Sequence, residues 1–355
     1  MDKFKTHFLS VLSIIITFFF ASYTFRFISP IFLEKSTPSP YININNMIDV
    51  SNITDKPFKV DNSPIHEITL PVPIPETSIT ENEDDQYPQG DIQTTGVVIE
   101  KTYTENSSDI KLEYGYLKNC TNSSKDKILS TANQKPKFKI SKNSQPQVLI
   151  MHSHTTESFL MSKTDTYIKD QSFRTTDNNK NISSVGKIIA QELKQAGISV
   201  IHDTTQHDYP AYPGSYERSR ETVMRILKEY PSIKIVLDIH RDAIVPDNNS
   251  IIAPVCTING EKYAQVMIIS GYDDGTMNMP KCMENLKLAC LIQNQMEKDY
   301  PTLTRPILFD YRKYNQDLTT GSLLIEVGGH GNTLQEVQNS GKLIGKSISK
   351  ALFSY

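Results

Sequence analysis

The apolar positions of this chain fall into three regimes. Phe8 to Phe25 form an uncharged, nearly continuous apolar run, preceded by Lys3 and Lys5 and followed by Arg26. That is about the minimum length for a bilayer-crossing helix, and the basic flank favours a cytoplasmic N-terminus with the remainder exported. Ala21-Ser22-Tyr23 lacks the small-x-small pattern of a cleavage site, so an uncleaved single-pass anchor is expected over 1–28. From 29 to 146 the pattern dissolves into Pro, Ser, Thr, Asn and charge, with Pro71, Pro73 and Pro75 alternating with apolar residues. Such a segment buries too little to offset its ordering entropy and is predicted to be a disordered extracytoplasmic stalk. Within it, Gly96-Val97-Val98-Ile99 and Ile110 to Tyr114 have the pattern of short strands that dock onto a domain.

The third regime, 147–355, is regularly periodic. Gln147 to Met151, Ile198 to Ile201, Ile233 to Ile239, Ala264 to Ser270 and Leu323 to Val327 are apolar runs of strand length. Between them, helical spacing appears in Ile182 to Ala196, Ser215 to Tyr230, Met283 to Met296 and Thr333 to Phe353, and Gly197 stands where a left-handed cap ends the first. Alternating strands and helices predict an α/β fold, a three-layer sandwich with a mostly parallel central sheet flanked by helices.

Composition changes this picture little. The 355 residues carry 37 basic and 40 acidic groups, a net charge of −3, which excludes nucleic-acid binding by a bulk basic face. The 38% hydrophobic fraction is low, as an unpacked stalk requires. Four cysteines exclude a dense disulfide scaffold, and the lack of any Cys-x-x-Cys argues against a thiolate metal site. Cys282 and Cys290 lie eight apart in one helix, about 12 Å along its axis, too far to bridge.

In sheets of this kind, ligands bind beyond the carboxyl ends of the strands. The first strand runs into His152-Ser153-His154-Thr155-Thr156-Glu157, the third into Asp238-Ile239-His240-Arg241-Asp242, and a late strand carries Glu326 before Gly328-Gly329-His330. A His-x-x-Glu turn plus a distant His matches a catalytic zinc site, which takes three protein ligands and leaves one position open. Glu326 interrupts an apolar strand, and a buried carboxylate there is costly unless it is paired or functional. Arg241 is read as a fork for an oxyanion or substrate carboxylate, or as a salt bridge to Asp238 or Asp242. Arg218 and Arg220 either line a groove or lie on a solvated helix face, and Tyr209, Tyr212 and Tyr216 either flank a glycan or pack.

Val148 to Phe159, Leu237 to Ala243 and Leu324 to Gly329 resemble, in order, three motifs of the stage II sporulation protein P family. That family is similar to zinc-dependent N-acetylmuramoyl-L-alanine amidases. The resemblance implies a membrane-anchored peptidoglycan amidase and endopeptidase that acts in forespore engulfment, in the septal space between mother cell and forespore. It implies a Zn2+ cofactor and stage II sporulation proteins D and M as partners. Carried onto this chain, His154 and His240 match metal-binding histidines and Glu326 matches the catalytic glutamate. Glu157 is taken as the third ligand from its spacing, with Asp177 and His152 as the other candidates. Two other readings stay open: another exported zinc hydrolase, such as a carboxypeptidase or deacetylase, and a non-catalytic wall-binding module.

Overall fold

The structure, a computed structural model, describes residues 94–355. The anchor expected over 1–28 and the stalk up to residue 93 lie outside the described residues. Among the described residues, no helix is long and apolar enough to cross a membrane.

The first site strand, β4 (Val148–Met151), is buried along its whole length, as its unbroken apolar run requires of a strand covered on both faces. It pairs in parallel with β6 (Val200–His202) and β7 (Ile235–Asp242), and β7 pairs in parallel with β12 (Ser322–Gly329). Beyond β12 the sheet continues through β10 (Val266–Gly271), β11 (Ile307–Asp310), β3 (Tyr116–Asn119) and β2 (Ile110–Lys111). The β10–β12 and β2–β3 pairs are antiparallel, so the eight-stranded sheet is mixed. The site half is parallel throughout. The sense reverses at β10 because a hairpin, not a helical crossover, separates it from β7.

That hairpin, β8 (Ser250–Ile258) with β9 (Glu261–Ala264), belongs to a second, four-stranded sheet in the order β5-β1-β8-β9, with β5 (Thr166–Ile168) and β1 (Thr95–Lys101). The second sheet was not expected from the sequence, although the Gly96–Ile99 strand was.

Helices cover both faces of the larger sheet. Ile182–Gln195 (α2), Cys282–Asp299 (α4) and Leu334–Leu352 (α5) pack on the face that holds Val148, Ile150, Ile235, Leu237 and Ile239. Ser215–Glu229 (α3) covers the other face, against Leu149, Met151 and Val236. Three layers result, as expected. Asn181 caps α2 by accepting from the Ser183 N–H, and Thr333 with Glu336 forms a reciprocal capping box on α5.

The folded unit starts well before 147. Residues 95–146, assigned by composition to the stalk, supply β1, β2, β3 and the short helix α1 (Lys125–Ala132). Ile110, Leu112, Leu117, Ile128 and Ile140 are all buried. Their apolar residues are few, but each stands at a core position, so the mean composition conceals an ordered segment.

A candidate metal centre and its buried carboxylate

Strand alternation builds the site. On β7, Asp238, His240 and Asp242 share one face, and His240 is the register partner of Glu326 on β12. The turn after β4 brings His154 and Glu157 alongside. One potential ligand atom from each of His154, Glu157 and His240 lies within 4.8 Å of the others, and all three residues are buried. Glu157 sits between the imidazoles. Its Oε1 is 3.5 Å from His154 Nδ1 and its Oε2 is 3.5 Å from His240 Nδ1. The Arg241 main-chain N–H donates to the same Oε2 at 3.2 Å.

Charge follows from burial and these neighbours. Burial pushes the Glu157 acid up, but contact with His154 and the charges of His240 and Arg241 outweigh it and hold it down at about 2. Burial would lower His240, yet Asp238 foremost, with Glu157 and Glu326, holds it up at about 10. Asp238 Oδ1 lies 2.8 Å from His240 Nε2, although the two are not aligned as a hydrogen bond. Asp238 is itself fixed by the Ser153 N–H at 2.8 Å and by the Ser153 hydroxyl. Two imidazoles, one ionised carboxylate and an acid behind one imidazole suit a zinc ion with an open position.

Glu326 stands beside this cluster and outside it. Its Oε2 is buried without a hydrogen-bond partner. Burial, together with the nearby charges of Asp242 and Glu157, raises its acid to about 8 against the pull of His240. A carboxyl that titrates near neutrality and has no structural bond to keep is equipped to move protons.

The other candidates resolve individually. His152 lies outside the cluster: its Nδ1 donates to the Ile239 carbonyl at 2.9 Å and its Nε2 lies 2.9 Å from His202 Nε2. Asp177 accepts from the Asn179 N–H at 3.0 Å and pairs with Lys180 in the turn before α2, away from the cluster. Arg241 departs from the salt-bridge reading. Its guanidinium donates to the carbonyls of Ser158 (2.8 Å), Phe173 (2.9 Å) and Asp242 (3.3 Å), so it clamps the Glu157 loop and forms no salt bridge with Asp238 or Asp242. Arg218 is held by the carbonyls of His207, Pro213 and Ala211, whereas Arg220 is paired with both oxygens of Asp317 and lines a groove with Tyr216 and Tyr314. Tyr212 and Tyr216 do wall the site, with ring centroids 4.6 Å and 5.2 Å from that of His154, whereas Tyr209 is exposed. All four cysteines are free thiols.

Sequence reasoning missed Tyr314, which stacks on Tyr216 at 5.1 Å and lines a cavity of about 500 Å³. Glu326 forms one wall of that cavity, and Tyr103, Arg305 and Arg312 form others.

Comparison with known proteins matches residues 65–349 to the family Stage II sporulation protein P. The Stage II sporulation protein P of Bacillus subtilis (strain 168) is 31% identical over 207 residues, which are 54% of this chain and 48% of that protein. The chain thus spans about half the length of the curated relative it matches. Among solved structures, N-acetylmuramoyl-L-alanine amidase AmiC2 of Nostoc punctiforme overlaps with a TM-score of 0.35 and 13% identity, covering 60% of this chain and 98% of that one. The apo amidase Ami1 of Mycobacterium abscessus gives 0.36 and 12%, covering 59% and 99%. Overlaps this loose carry no weight by themselves. The family match spans most of the chain and all three site strands, and on it this chain belongs to the stage II sporulation protein P family.

Proposed function

We propose that this chain is a zinc-dependent peptidoglycan amidase that cleaves the bond between N-acetylmuramic acid and the stem peptide, with endopeptidase action on cross-links as a second activity of the same site. The observation that carries the reading is the His154–Glu157–His240 cluster with an unpartnered Glu326 in register beside His240. His154, Glu157 and His240 would hold the zinc, which when bound supplies Lewis-acid polarisation of the scissile carbonyl and of water. Glu326 takes the proton of the attacking water and returns it to the leaving nitrogen, which is why its acid must lie near neutrality. Asp238 orients His240, and Arg241 fixes the loop that carries Glu157. Tyr212 and Tyr216 narrow the approach to His154. The apolar run Phe8 to Phe25 supports a membrane anchor with this domain outside the cytoplasm, and family membership supports a role in sporulation beside stage II sporulation proteins D and M.

Digestion of purified sacculi tests the reading. The chain should release stem peptides and leave free lactyl groups on muramic acid, whereas loss of a terminal amino acid would mark a carboxypeptidase and loss of acetate a deacetylase. Glu326→Gln should keep its zinc and fold while activity falls by about 100-fold or more. Full activity in that variant would remove Glu326 from its role.

A further inference from the structure

The cavity beside Glu326 has a floor defined by strand register. Glu326 pairs with Met267 on β10, and two residues further along β10 Ile269 pairs with Leu308 on β11, which pairs with Lys118 on β3. Three interstrand steps and a two-residue offset separate Glu326 from Lys118, about 16 Å at the usual strand dimensions. That is room for about four residues of extended peptide. The floor is apolar, and its charges stand at the rim.

The lining carries both signs, Asp109, Asp242 and Glu326 against Lys118, Arg305 and Arg312. Asp242 is paired with Arg305 at 2.8 Å, and Arg305 in turn stacks on Tyr103 at 5.0 Å. Asp109 accepts the Asn106 N–H at 2.7 Å. Lys118, by contrast, is exposed and has no ion-pair partner among the described residues. Arg312 donates through Nε to Asp310 at 3.0 Å and through Nη1 to the Tyr314 hydroxyl at 2.7 Å, which leaves Nη2 without a bond among the described residues.

The loop that presents Arg312 is rigidly built. Tyr314 and Asn315 both adopt positive φ, 42° and 56°, a conformation side chains resist. It is maintained by the Asn315 amide, which donates to the Tyr216 carbonyl at 2.9 Å and the Ser219 hydroxyl at 3.1 Å, and by Gln316, which accepts from the Gly271 N–H at 2.9 Å. Non-glycine strain of this kind persists where its surroundings over-determine it, and it clusters at ligand clamps.

We infer that this cavity is the peptide-side subsite and that Arg312 and Lys118 receive a free carboxylate of an acidic stem peptide. The inference rests on the amidase reading for the identity of the peptide, while the binding it asserts does not require hydrolysis. The peptide then lies across β10, β11 and β3 with its acylated end at Glu326.

Calorimetric titration of the full chain tests this with two synthetic stem tripeptides, L-alanyl-γ-D-glutamyl-diamino acid and its α-amide. The free acid should bind about tenfold more tightly than the amide, a preference that Arg312→Gln and Lys118→Gln should each reduce and together abolish. In hydrolysis of a muramoyl tripeptide the same variants should raise KM with kcat nearly unchanged. Equal binding of acid and amide, or a preference untouched in the double variant, would overturn the subsite. A wild-type chain that prefers the free acid yet releases no stem peptide would leave the subsite standing and overturn the amidase reading instead.

Discussion

Glu326 and His240 are register partners on adjacent parallel strands, yet they divide the work: His240 joins the ligand cluster while Glu326 keeps a buried oxygen with no partner. One strand step thus separates a candidate ligand from a carboxyl that has no partner. The strand then bulges between Glu326 and Gly329, with Gly328 at φ 67°, which turns the chain away directly after the carboxylate.

Metal uptake should release a proton. His240 is held protonated, with its acid at about 10, by Asp238, Glu157 and Glu326 against the effect of burial. A zinc ligand must be neutral, so binding at pH 7 should expel about one proton per ion and weaken as pH falls. Calorimetry in buffers of different ionisation enthalpy measures the count. Glu157→Ala should lower zinc to well below one ion per chain by elemental analysis, and full stoichiometry would place the third ligand elsewhere.

Stability of the zinc-free chain should respond to acid through His152 and His202. Burial pushes them from 6.5 down to about 3 and about 4. The unfolded chain therefore takes up protons that the native state refuses, and stability present above pH 6.5 is lost as pH falls toward 4. Glu326 acts in the opposite sense. Its acid is raised from 4.5 to about 8, so its contribution is present below 4.5 and lost as pH rises through 8. Urea midpoints measured from pH 4 to 9 should fall less on the acid side in His202→Gln and less on the alkaline side in Glu326→Gln.

Gly186 on α2 makes the histidine pair possible. A Cβ there would lie 2.6 Å from His152 Cε1 and 2.8 Å from His202 Nε2. Gly186→Ala should destabilise the fold by about 1–3 kcal/mol despite improved helix propensity, as read from urea unfolding. A gain in stability would show that the imidazoles have room to move.

Much of the site is legible in the sequence because its chemistry is local. The His-x-x-Glu turn, the Asp-x-His alternation and a glutamate in an apolar strand each announce themselves within a few residues. The helix bounds were close for the same reason, with α2 expected to end at Ala196 and ending at Gln195. What was illegible depends on distant partners. The clamp by Arg241 was illegible because no sequence shows that the carbonyls of Ser158 and Phe173 converge on it. The second sheet escaped because β1 pairs with β8 far along the chain, and because Pro254 interrupts an apolar run that otherwise reads as a strand. Tyr314 owes its place to a strained turn that only Asn315 hints at.

Truncation should expose the misplaced boundary. A chain begun at residue 94 retains β1 and β3, and its melting temperature should approach that of the full chain. A chain begun at 147 leaves β8 and β11 with open edges and should melt about 10 °C lower or aggregate. Equal melting of the two would show that residues 95–146 add nothing to the fold.

The same pairings set a timetable for synthesis. Strand β1 lacks its β8 neighbour until Ser250 has been made, and β3 lacks its β11 neighbour until Ile307 has. The opposite walls of the cavity therefore come from the beginning and the end of the folded unit, and Glu326 is made later still. A partly emerged chain holds neither a finished cavity nor its carboxylate, so the site is complete only when nearly the whole polypeptide has been made.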